Sequence, residues 1–113
     1  MITNEKRAFK RVNRKFTVNY KLPGTASSHG GSSVSENIGP GGAYFFSLDK
    51  FEIGQPLDCR IEGSGMKAEG RWKARVVRCE KIESKMIVTY GVAVEFIKSF
   101  GNAEKNLKKA LDI

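Results

Sequence analysis

The chain has 113 residues, 40% of them hydrophobic and 28% charged, which fits one ordinary globular domain and excludes global disorder. Twenty Lys and Arg against twelve Asp and Glu leave a net charge of +8, so acidic partners are favoured. No apolar stretch approaches the roughly 20 residues that cross a bilayer, and the N-terminus lacks the apolar core of a signal peptide, so a cytoplasmic location is expected.

The positive charge is concentrated at one end. Within EKRAFKRVNRK, residues 5 to 15, Lys6, Arg7, Lys10, Arg11, Arg14 and Lys15 face a single acid, Glu5. Residues 1–14 are therefore read as a basic arm and 15–113 as one domain. Phe16, Val18, Tyr20 and Leu22 then alternate with Thr17, Asn19 and Lys21 until Pro23-Gly24, the pattern of a first strand. TASSHGGSS is small, polar and glycine-rich, which predicts an exposed connection with His29 solvated in it. After the turn NIGPGG, Ala43 to Ser47 reads as a short strand. Leu57, Cys59 and Ile61 alternate with Asp58, Arg60 and Glu62 to make the next, and GSG at 63–65 reverses the chain.

From Met66 the odd positions Lys67 to Arg75 face away from Ala68, Gly70, Trp72, Ala74 and Val76, predicting a long strand with one solvated side. A turn is expected near Glu80 to Ser84. Met86, Val88, Tyr90, Val92, Val94 and Phe96 line one face of a further long strand. Only the end reads as helical, over about 102–111, with Asn102 as its cap, Ala103, Leu107, Ala110 and Leu111 near helical spacing, and lysines in its later turns. Cys59 and Cys79 lack CxxC spacing and fall among strand residues, so they read as reduced packing thiols. Five to seven strands with glycine-rich turns predict a small antiparallel barrel, a fold without open sheet edges.

Enzyme signatures are missing. There is one His, no serine in a nucleophile-elbow setting, no Walker lysine and no metal-ligand cluster, so neither hydrolysis nor phosphoryl transfer is expected, and no metal. Gly39, Gly41 and Gly42 do not satisfy GxGxxG and precede a strand, which excludes the dinucleotide fold. In NIGPGG the glycines can take backbone angles closed to other residues, Pro40 stiffens the turn, and free amides can form a small anion-binding concavity. A tight interstrand turn with no ligand explains the same residues.

RAFKR at residues 7 to 11 followed by NIGPGG at 37 to 42 resembles the PilZ domain family, whose pattern is RxxxR and then [D/N]xSxxG. Arg7 and Arg11 match the first motif, and Asn37 and Gly42 match the second, with Gly39 where the family usually has serine. Ala43-Tyr44-Phe45, IGQPLDCRIE, ARVVRCE and YGVAVEF extend the resemblance over nearly the whole chain. It implies an all-β fold, a small six-stranded antiparallel β-barrel with a mobile basic N-terminal arm and a short C-terminal helix. It also implies a bacterial, non-catalytic receptor for the second messenger cyclic di-GMP, acting on a motility, pilus or exopolysaccharide partner.

The chemistry of such a site follows from its residue types. A cyclic dinucleotide offers two phosphates and two guanines. The guanidinium fork of Arg7 or Arg11 can bond a phosphate bidentately, grip guanine O6 and N7, or stack on a base. Asn37 can meet guanine's polar edge, Gly39, Gly41 and Gly42 permit close approach, and Lys6, Lys10 and Arg14 add charge. Fixing the arm costs roughly 1–2 kcal/mol per residue, and each charge-assisted hydrogen bond returns about 1.5–3 kcal/mol, so arm ordering and ligand binding are expected to be one event. The serine hydroxyl absent at Gly39 is worth about 0.5–1.5 kcal/mol, at most about tenfold in affinity. Two other readings remain open: a PilZ-like adaptor without nucleotide, and a basic barrel stacking single-stranded nucleic acid on Phe45, Phe46, Trp72 and Tyr90.

Overall fold

The computed structural model describes residues 15–24, 30–35, 37–63 and 65–112. Its seven strands are β1 (Phe16–Lys21), β2 (Gly30–Ser35), β3 (Asn37–Gly39), β4 (Gly42–Ser47), β5 (Pro56–Gly63), β6 (Gly70–Glu83) and β7 (Val88–Phe100), and one helix, α1 (Ala103–Ala110), follows them. All pairs are antiparallel, in the order β2-β1-β5-β6-β7-β4-β3.

The two outermost strands, β2 and β3, are neighbours in the chain. One short stretch therefore forms both edges of the sheet and forces it to curl on itself. β2 is then held to β4 by side chains where a backbone ladder would otherwise run: Phe46 N–H donates to Ser33 Oγ at 3.4 Å, and the buried Ser35 hydroxyl donates to the Tyr44 carbonyl at 2.5 Å. Among the described residues the count is seven strands, one more than the six expected, because residues 30–39 contribute two strands, one on each edge. GGSS, residues 30 to 33, was expected in an exposed connection and is instead strand β2. Its small side chains carry no alternation signal, yet they let β2 lie close on Tyr20: a Cβ on Gly30 or Gly31 would collide with that residue. His29 lies outside the described residues.

Inside the curl, the alternating residues of each strand form one core. Phe16, Val18, Phe45, Leu57, Cys59, Ile61, Val76 and Val92 are essentially inaccessible to water. Tyr20 stacks on Phe45 with centroids 4.7 Å apart, meets Phe51 edge-on, and donates its hydroxyl hydrogen to the buried Ser47 Oγ at 3.0 Å. Trp72 stacks on Phe96 at 4.8 Å. α1 packs against β6 and β7 and buries Ala103, Leu107 and Ala110, an apolar stripe at helical spacing. Asn102 stands at its N-cap without a side-chain capping bond, so the turn at Gly101, which takes φ +59°, sets the helix start.

The long hairpin departs from the sequence expectation in three places. β6 begins at Gly70, four residues later than Met66, and its turn falls at Ser84–Ile87, past the expected Glu80–Ser84, closed by Ser84 N–H donating to the Ile87 carbonyl at 3.0 Å. Met86, placed by alternation on the apolar face, is 92% exposed in that turn. Two register shifts, at Lys73/Ala74 and Val76/Arg78, leave Ile97 and Val77 as extra, solvent-facing residues and reverse which parity points inward beyond them. That reversal brings Cys79 against the core.

Both cysteines are free. Burial, with a smaller contribution from the Asp58 carboxylate, pushes the Cys59 thiol from 9.0 up to about 12. The unfolded chain loses this proton first, so the stabilisation from a protonated buried thiol is fully present below pH 9.0 and is lost as pH rises towards 12. Denaturant melts of the wild type and Cys59→Ala should show a stability gap that is constant up to about pH 9 and narrows above it. A gap that stays constant to pH 11 would show that Cys59 titrates normally.

Candidate functional site

Asn37, Gly39, Gly41 and Gly42 come together on a single hairpin. β3 and β4 pair through Asn37 with Tyr44, Ile38 with Ala43 and Gly39 with Gly42, leaving Pro40-Gly41 as a two-residue turn. The hairpin is fixed at both ends. The Gly41 carbonyl accepts from Phe96 N–H at 2.8 Å, and Asn37 N–H donates to Ser35 Oγ at 3.0 Å. Half-buried Ile38 packs on the core beneath it, so Asn37 is directed outwards and exposed.

The three glycines do not serve as the sequence suggested, since none takes a positive φ. Gly42 is required for proximity. A Cβ there would collide with the Val94 carbonyl, because β4 lies tight on β7. Gly39 and Gly41 face open space, with nothing within 4 Å of an added Cβ. The backbone is thus bare and approachable at both positions.

Arg7 and Arg11, with Lys6, Lys10 and Arg14, lie outside the described residues. The point where their segment joins the barrel is defined, however. Phe16, the first residue of β1, is the ladder partner of Ser35, and Ser35 bonds both the Asn37 amide and the Tyr44 carbonyl. At about 3.3–3.6 Å per extended residue, Arg11, five places before Phe16, has a reach of about 17 Å from that point, and Arg7 has about 30 Å. Both arginines can therefore reach Asn37.

The outer face beside Asn37 carries groups that alternation alone did not single out. Tyr44 lies opposite Asn37 on one side and Ala93 on the other, and Ala93 is opposite Arg78 on β6. The Arg78 guanidinium lies 5.9 Å from the Tyr44 ring centroid and 3.5 Å from Glu80, and Phe46 meets Tyr44 edge-on at 5.5 Å. Gly91 makes this possible. A Cβ at Gly91 would strike the Tyr44 hydroxyl, so its absence lets the ring lie across β7. The signal available in the sequence was YGVAVEF beside AYFF, but only the register shows that Tyr44, Phe46 and Arg78 share a patch. Arg75 continues the same face and is bound to Glu95. Of the aromatic residues considered for nucleic-acid stacking, Phe45 and Trp72 are in the core and Tyr90 is half-buried, leaving only Phe46 exposed.

The family model of the PilZ domain matches residues 5–111. No curated protein and no solved structure matches the chain.

The two ends of the NIGPGG turn should respond differently to side chains. Gly39→Ser should change folding stability by less than about 0.5 kcal/mol, whereas Gly42→Ala should lower it by about 1–3 kcal/mol through overpacking against β7. Urea unfolding of both variants checks this. Equal losses would mean that the turn, and not the close β4–β7 approach, limits both positions.

Proposed function

The chain belongs to the PilZ domain family, and we propose that it is a cyclic di-GMP receptor whose N-terminal arm closes over the NIGPGG hairpin when the nucleotide binds. Members of the family are ligand-binding receptor domains for cyclic di-GMP. The reading is supported by the pairing of Phe16 with Ser35, because the strand that follows the RxxxR segment in the sequence starts against the residue that bonds the Asn37 amide.

The proposed division of labour follows from the chemistry of each group. Arg7 and Arg11 grip the phosphates and the guanine O6/N7 edges. Asn37 offers a donor and an acceptor to guanine from a rigid strand, and the bare backbone at Gly39 and Gly41 admits the ligand closely. Lys6, Lys10 and Arg14 raise the local positive potential. The Tyr44 ring with Arg78 above it supplies a flat cationic platform on which a guanine can stack or a phosphate can rest. Since the arm alone cannot offset the entropy of its own ordering, closure and binding occur together. The closed arm is then the surface that a downstream motility, pilus or exopolysaccharide component reads in the bacterial cytoplasm. No catalytic step and no metal is part of this function. Among the described residues, no helix is long and apolar enough to cross a membrane.

The sequence departs from the family pattern only at Gly39, and the open space there means that a serine can be restored without strain. Calorimetric titration with cyclic di-GMP should give a roughly tenfold or greater loss of affinity in Arg7→Ala and in Arg11→Ala, the equivalent of one charge-assisted contact. Neither should move the melting temperature of the unliganded protein. Gly39→Ser should bind more tightly and Arg78→Ala more weakly than wild type. Unchanged affinity in both arginine variants, or a large fall in melting temperature in either, contradicts the proposal.

A further inference from the structure

A second region of the outer face lies over other strands than the hairpin, across β2, β1, β5 and β6. It holds an open cavity of about 810 Å³, within the size range of clefts that take ligands or partner segments. Its shape follows from side-chain size. Gly30 and Gly31 leave one end bare, because a Cβ on either would meet Tyr20, while Phe100, opposite Arg71 in the ladder, lines the other end. The ladders place Arg60, Arg71 and Phe100 in one row, and Asp58, Lys73 and Lys98 in the next.

The charges of these two rows are unevenly matched. Arg60 pairs with Glu69 at 3.6 Å. Arg71 and Lys98 both lie over Phe100, at 5.9 and 5.4 Å from its centroid. Among the described residues neither of these two cations, nor Lys73, has a carboxylate within ion-pair distance. An anionic occupant would complete three cations at once.

We propose that this groove docks a net-acidic segment of a partner protein, at strands other than the hairpin proposed to bind the nucleotide. Two features select a polypeptide over a nucleic acid. Asp58, the ladder partner of Lys73, would oppose a phosphate backbone that carries charge at every step, whereas a polypeptide can set a neutral or basic side chain there. Of the rings that line the groove, Tyr20 and Trp72 are buried and Phe100 alone is exposed, so successive bases would find no row of aromatic faces on which to stack. A segment with carboxylates opposite Arg71, Lys73 and Lys98 matches the pattern, with electrostatics setting register and association rate.

The test is backbone-amide shift mapping of the full chain, titrated with an oligoglutamate peptide and, separately, with an oligothymidylate of equal charge. Shifts with oligoglutamate should concentrate at Asn19, Arg60, Arg71, Lys73 and Phe100. The double variant Arg71→Ser/Lys73→Ser should weaken that binding about fivefold or more, as expected for two surface charge contacts. Lys81→Ser/Lys85→Ser, which removes the same charge from the distal hairpin, should leave it within about twofold. The proposal is overturned by no saturable shifts with oligoglutamate, by shifts confined to residues 1–14, by equal weakening in both variants, or by tighter binding of oligothymidylate at the same amides. None of these readouts involves cyclic di-GMP, so this proposal and the receptor reading can fail separately.

Discussion

The architecture depends on one geometric constraint: residues 30–39 supply both edge strands of the same sheet. A sheet with its first and last strands joined this closely cannot lie flat, and the right-handed twist of its strands takes up the curl. The seam is not closed by a ladder. Serine hydroxyls close it, with Ser33 accepting from Phe46 and Ser35 bridging the Tyr44 carbonyl and the Asn37 amide. Ser35 is 4% exposed, and its hydroxyl both donates and accepts, as a buried polar group must to avoid a desolvation penalty. A larger side chain would hold the edges apart, and an apolar one would leave the backbone groups unpaired.

The same seam sets the position of the proposed site. Because Ser35 is the ladder partner of Phe16 and a hydrogen-bond neighbour of Asn37, the start of β1 and the start of β3 meet at one point on the barrel. The basic segment before Phe16 is thus tethered where an exposed amide side chain, a bare glycine backbone and the Tyr44–Arg78 pair face outwards. In the proposed site the rigid core contributes position and the basic segment contributes charge. Local glycines extend the logic: Gly42 and Gly91 are small so that β4 and Tyr44 can lie close on β7, which makes the outer face shallow enough to approach.

Much of this was legible in the sequence because alternation is a direct physical record of burial. Phe16, Val18, Tyr20, Leu57, Cys59, Ile61, Val92 and Val94 all point where period two sends them. The PilZ membership followed from the order of RAFKR and NIGPGG on such a chain. The misreadings have physical causes. β2 was missed because Gly30 to Ser33 have no side chains large enough to show a pattern, although their smallness is what the seam needs. The distal part of the hairpin was misplaced because bulges at Val77 and Ile97 shift parity without any local signal. The NIGPGG glycines were read as a demand for unusual backbone angles, whereas Gly42 answers to the Val94 carbonyl across the ladder, a contact that no local rule reports. The Tyr44–Arg78 platform joins residues far apart in sequence, and only the strand register unites them.

In the proposed function, ligand binding couples the RxxxR segment to the β3–β4 hairpin through the Phe16–Ser35 junction. Amide hydrogen exchange of the full chain, with and without saturating cyclic di-GMP, addresses it directly. The nucleotide should slow exchange in two regions together, residues 5–15 and residues 37–46, while the distal β6–β7 hairpin is unchanged. Slowed exchange in one region only, or none in either at saturating nucleotide, would contradict this coupling.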